Sequence, residues 1–133
     1  MEVQVLEGWV TIDETLIDAS TAEIRRQIRA YERDARTDFS LDVDIPDSFT
    51  GEVMAAMDRI PVGETRTYGE IAVDLDTAPV AVGQAAGRNP VPIVVPCHRV
   101  VAADGLGGYS AAGGLSLKER LLRHEGALEE THI

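Results

Sequence analysis

The chain has 133 residues, 44% of them apolar, enough for one domain, or one domain with a small companion, around a real core. Its 23 acidic and 12 basic side chains leave a formal charge of −11, and the acids are scattered rather than gathered in a tail, so disorder is not the natural reading. No run is apolar and long enough to span a membrane, the start "MEVQVLEGWV" lacks a secretory signal pattern, and one cysteine excludes an internal disulfide; a soluble cytoplasmic protein is expected.

Residues 3–12, "VQVLEGWVTI", alternate loosely around Gly8 and fit one or two short strands. Ser20 and Glu23 form a capping-box pair that opens a helix with Ile24, Ile28 and Tyr31 on one face. "RTDFSLDVDIPDS" breaks that pattern and sets a boundary, giving a reduced N-terminal lobe over 1–47 and a second unit over 48–133. A second helix runs from about Phe49 to Ile60, with Phe49, Val53, Met57 and Ile60 as its apolar stripe. Thr67 and Glu70 form another capping box, with Ile71 and Leu75 buried behind it. After a short connection, Pro79 fits the first turn of a further helix and Gly87 its end. Two short helices joined by a tight turn have the outline of a helix-turn-helix. "IVVP" reads as a strand, "AADGLGGYSAAGG" as a glycine-rich loop, and the last helix starts at Ser116, boxed with Glu119, and stops at Gly126.

The lone cysteine, Cys97, lies in "IVVPCHRVV". It fits a small buried hydrophobe, or a nucleophile. A thiol attacks as the thiolate, so a nucleophilic role needs a base or a positive field, and His98 and Arg99 follow directly. Neighbours in a strand point to opposite faces, so His98 reaches the sulfur only across a turn at Cys97 or through a water. The pair His124-Glu125 could supply a carboxylate to orient His98. Paired-ligand spacing for zinc is missing.

"PCHRVV", with "GRNPVPIVVP", "IPVGETRTYGEIA" and "GGYSAAGGLSLKERLLRHEG", resembles the C-terminal domain of the O6-alkylguanine-DNA alkyltransferases, over about Phe49 to Gly126. The resemblance implies an α/β (α+β) fold: a shortened strand-and-helix N-terminal lobe, then a winged-helix-like domain carrying the helix-turn-helix. It implies irreversible single-turnover transfer of an alkyl group to Cys97 from O6-alkylguanine in DNA, with O4-alkylthymine a further candidate lesion. His98, through a water, and Glu125 would form the relay that makes the thiolate. Asn89 would tie the helix-turn-helix to the active-site strand, and Tyr68 would hydrogen-bond the flipped base. Tyr109 and Ser110 would line the pocket, and Lys118 would neutralise charge or fix the loop. Val80, Gly83, Arg88 and Arg99 are the further candidate DNA contacts. The implied partner is double-stranded DNA entered from the minor groove by a monomer, with no cofactor and no metal. Two other readings stay open: a non-catalytic lesion-binding relative, and a thiol-based alkylation sensor.

This sequence departs from the family pattern where an intercalating arginine is usual, since Val80 stands there. The connection after Tyr68 is shorter, the loop at "SAAGG" longer, and the N-terminal lobe reduced; that lobe is expected to contribute stability more than chemistry. The acidic balance opposes phosphate binding in dilute buffer. Of the bases only Lys118 is lysine, and an acidic, lysine-poor surface suits a cytoplasm of very high salt, where repulsion is screened.

Overall fold

The computed structural model describes residues 1–108 and 114–128. The chain opens with an antiparallel hairpin, β1 (Glu2–Val5) and β2 (Gly8–Thr11), registered as Val3 opposite Val10. Valines 3, 5 and 10 point inward, as the two-residue period requires. Leu6 and Glu7 both take positive φ, the backbone of a tight hairpin turn. Other segments hold this turn in place: Leu6 N–H donates to Glu32, and its carbonyl accepts from Arg120.

Helix α1 (Thr21–Arg33) buries Ile24, Ile28 and Tyr31. Ser20 caps it by accepting from Glu23 N–H, but the reciprocal half of the expected box is replaced, because Glu23 pairs with Arg26 and Gln27 instead. The following segment folds back to bridge Ile17 with Val43 and leads into α2 (Phe49–Asp58). Gly51 permits that approach: a Cβ there would stand 1.7 Å from the carbonyl oxygen of Pro46.

Strand β3 (Arg66–Thr67) runs directly into α3 (Tyr68–Asp74). The full capping box forms here, Thr67 accepting from Glu70 N–H and Glu70 accepting from Thr67 N–H. A four-residue connection leads to α4 (Pro79–Gly87), which packs against α3 and α2 and buries Val82, Ala85 and Ala86. Parallel pairing of β3 with β4 (Val100–Val101) ties the entry to α3 to the segment leaving Cys97. Helix α5 (Gly114–His124) closes the fold. It begins before Ser116, whose hydroxyl accepts from Arg120 one turn on, so the expected Ser116–Glu119 box is not its start.

"IVVP" is not a strand. Val91 to Val95 form a compact turn with a bridge between Pro92 and Val95, and Ile93 takes positive φ while buried. Positive φ is costly for a β-branched side chain and is held here by burial of its neighbours. One continuous core joins the hairpin and α1 to α2 through α5. Among the described residues no helix is long and apolar enough to cross a membrane.

Candidate active site

Cys97 stands where two turns meet. Its N–H donates to the carbonyl of Val95 at 2.9 Å, and Pro96 between them has φ −82° and ψ 69°, an inverse γ-turn. A single 3-10 turn then spans Cys97–Arg99. Successive side chains step around such a turn instead of alternating across a sheet, so Cys97 and His98 are not forced onto opposite faces. Asn89, just past the end of α4, grips the approach from both sides: its Nδ2 donates to Val95 O at 2.9 Å and its Oδ1 accepts from Val91 N–H at 3.1 Å.

His98 is fully enclosed, and its Nε2 lies 2.7 Å from Glu125 Oε2. An ionised carboxylate only accepts, so Nε2 carries the proton and Nδ1 keeps its lone pair. Nδ1 is buried and makes no hydrogen bond within the described residues, as suits a base aimed at a proton. Burial lowers the pKa of His98, against the pull of Glu125, so the ring is neutral at pH 7. Burial pushes the Glu125 carboxyl up, but hydrogen bonds from His98 and Arg99 outweigh it and hold the group at about 2. A neutral imidazole backed by a fixed anion is the arrangement that accepts a proton from a thiol.

Tyr68 and Lys118 are both near enough to Cys97 to feel charge on the sulfur. Lys118 Nζ is buried and donates to the carbonyls of Val100 at 2.7 Å and Gly108 at 3.0 Å. It stands 5.7 Å from the centre of the Tyr68 ring. Burial pushes Lys118 down to about 8, against the opposing pull of Cys97, leaving a positive field beside the thiol. Tyr68 is half-buried, and burial raises its hydroxyl pKa, so it remains a donor. Sequence reasoning missed Gly107. Its φ is +74°, and a Cβ there would come within 2.8 Å of Tyr68 Oη, so glycine lets the loop close over the ring. Gly83 of α4 faces the same ring, at ordinary contact distance.

The remaining candidates divide. Val80 is 70% exposed near the start of α4, and Arg88 is exposed at its end. Arg99 is not on that face. It turns inward, with Nε and Nη2 on Glu125 and Nη1 donating to the Ile60 carbonyl at 2.6 Å, so it is unavailable to phosphate. Nothing local in the sequence marks this, since its partner lies 26 positions away. Tyr109 and Ser110 lie outside the described residues.

A cysteine followed in the chain by a buried histidine–carboxylate pair is an arrangement suited to thiol chemistry. Comparison with known proteins agrees with that chemistry. Residues 48–127 match the family described as 6-O-methylguanine DNA methyltransferase, DNA binding domain. The methylated-DNA–protein-cysteine methyltransferase of Archaeoglobus fulgidus is 43% identical over 113 residues, covering 81% of this chain and 77% of that protein. The protein of the same name from Methanosarcina acetivorans is 43% identical over 95% of this chain and 79% of its own length. A crystal structure of Mycobacterium tuberculosis OGT in complex with DNA superposes with a TM-score of 0.70 at 41% identity, covering 80% of this chain and 67% of that one. The chain belongs to the methylated-DNA–protein-cysteine methyltransferase family.

Proposed function

We propose that the protein repairs DNA by direct reversal, moving the alkyl group of O6-alkylguanine onto Cys97 in one irreversible turnover. The observation that carries this is the buried His98–Glu125 pair, with His98 next to Cys97 in the chain and its Nδ1 without a hydrogen bond among the described residues. His98 takes the thiol proton across one water. The thiolate then attacks the alkyl carbon in line, a C–S bond forms, and the C–O6 bond breaks with its electron pair leaving on the base. Tyr68 donates to the departing guanine and relieves its charge. A thioether is not hydrolysed, so the protein acts once.

The lesion reaches the sulfur by flipping out of the duplex, at an unstacking cost of roughly a few kcal/mol, less at a damaged pair. Helices α3 and α4 act as a helix-turn-helix that enters the minor groove, where little sequence is read. Val80 serves as an apolar wedge in the gap, and Arg88 meets the backbone. The partner is double-stranded DNA, engaged by a monomer in a cytoplasm of high salt, where an acidic surface no longer repels phosphate. Mass spectrometry tests the reading: duplex carrying O6-methylguanine, at high salt, adds one methyl to the peptide containing Cys97, and none to Cys97→Ser. No mass gain on wild type while duplex binding persists would reject it.

A further inference from the structure

The relay carboxylate is held from outside its own neighbourhood. Glu125 Oε2 accepts from His98 Nε2 at 2.7 Å and from Arg99 Nη2 at 3.1 Å, both in the turn at Cys97. It also accepts at 2.6 Å from the hydroxyl of Tyr31, on α1 and 94 positions earlier in the chain. Tyr31 and His98 therefore donate to the same oxygen.

The Tyr31 ring is fixed independently of that hydroxyl. It is 1% exposed, lies 5.7 Å from the Phe39 ring, and meets the His124 ring edge-on at 5.2 Å. Its backbone carbonyl accepts from His124 Nε2 at 2.8 Å. A phenylalanine would fill this place without a polar atom to satisfy. The hydroxyl is the part that packing does not require, and it is aimed at the relay.

We infer that Tyr31 is a positioning residue of the Cys97 relay, through which the N-terminal segment orients Glu125 and moderates its hold on the His98 proton. This rests on the alkyltransferase reading of the site. A carboxylate oxygen that also accepts from Tyr31 spends part of its charge there, and so pulls less on the imidazole. Among the described residues, the groups acting on the pair are Tyr31 from α1, Arg99 from the turn and Lys118 from α5. Arg99 balances the carboxylate charge, Lys118 acts on the sulfur and His98, and burial raises the Tyr31 pKa so that it stays a donor.

The single cysteine makes the test direct. Thiolate absorbance in the ultraviolet, with Cys97→Ser as the blank, gives the ionisation midpoint of Cys97 without DNA. Tyr31→Phe keeps the ring and removes the donor. Its midpoint should fall by about half a unit to one unit, because the released carboxylate stabilises the imidazolium that pairs with the thiolate. His124→Ala removes a ring contact and a backbone hydrogen bond from Tyr31 but keeps its hydroxyl, and should lower the melting temperature with a much smaller change of midpoint than Tyr31→Phe. An unchanged or raised midpoint in Tyr31→Phe would overturn the inference, as would an equal shift in His124→Ala. Methyl transfer by wild type judges the alkyltransferase reading separately, since the titration reads out whether or not transfer occurs.

Discussion

Arg99 and Glu125 meet at two points inside the protein, Nε on Oε1 at 2.8 Å and Nη2 on Oε2 at 3.1 Å, with the glutamate side chain fully enclosed. Removing one partner of such a pair leaves the other charge buried alone. Arg99→Leu should therefore lower the unfolding free energy by about 3–5 kcal/mol, read from urea midpoints near neutral pH. Stability close to wild type would mean that water reaches Glu125.

The same cluster sets the response to acid. Burial lowers His98 below its ordinary 6.5, so the unfolded chain binds a proton there that the folded one refuses, and stability declines as pH falls below 6.5. Glu125 falls from 4.5 to about 2 because its donors overcome burial. Its contribution is complete above 4.5 and is lost as pH falls toward about 2. Melting temperature against pH should thus bend downward first below 6.5 and again below 4.5. In Arg99→Leu the second bend should shrink, since the carboxyl has lost a donor that holds it low. A second bend of full size in that variant would contradict the assignment.

Gly107→Ala probes the loop over Tyr68. At φ +74° an L side chain costs about 1 kcal/mol, and the new Cβ would stand 2.8 Å from Tyr68 Oη. The ring must shift, and displacement of a positioned group lowers the transfer rate by about tenfold to a hundredfold. Duplex affinity should be unchanged, because Gly107 is not on the exposed face of α4. Single-turnover transfer and fluorescence anisotropy separate the two; an unaltered rate would show that Tyr68 does not need its present position.

What the sequence made legible were the elements marked by two independent signals. Thr67 and Glu70 opened α3, and Pro79 with Gly87 bounded α4, because caps and fixed φ act locally. "IVVP" failed as a strand because a short apolar run is buried either way, and the prolines around it remove ladder donors. Arg99 read as a candidate DNA contact because only tertiary contact supplies Glu125. Tyr31 was correctly set on the apolar face of α1, but its hydroxyl, which donates to Glu125, has no local signal.

Val80 offers a gain-of-function test. It is 70% exposed, and α4 begins at Pro79, so an arginine there meets solvent rather than core. Val80→Arg should tighten binding to duplex at low salt and make the log–log slope of affinity against salt more negative by about 0.9, the release expected from one added phosphate contact. Transfer under limiting protein should speed up if the arginine also holds the flipped-out state. A slope equal to that of wild type would mean that this end of α4 does not approach the phosphates.

Salt should act on this protein in the opposite sense from most DNA-binding domains. The α3–α4 unit and its approach carry Glu64, Glu70, Asp74 and Asp76, while Arg66 is tied to Asp74 and Arg88 is exposed at the helix end. With a net charge of −11, self-repulsion opposes both the compact state and the approach of DNA. Raising potassium chloride from about 0.1 M to about 1 M shortens the screening length from roughly 10 Å to roughly 3 Å. The melting temperature should climb by roughly 5 °C for each kcal/mol of repulsion removed. Duplex affinity should stay level or rise over the same range, where a basic domain would lose it. Paired thermal melts and anisotropy titrations decide the matter: a flat melting temperature with affinity that falls steeply would mean that a local basic face, not screening, carries the encounter with DNA.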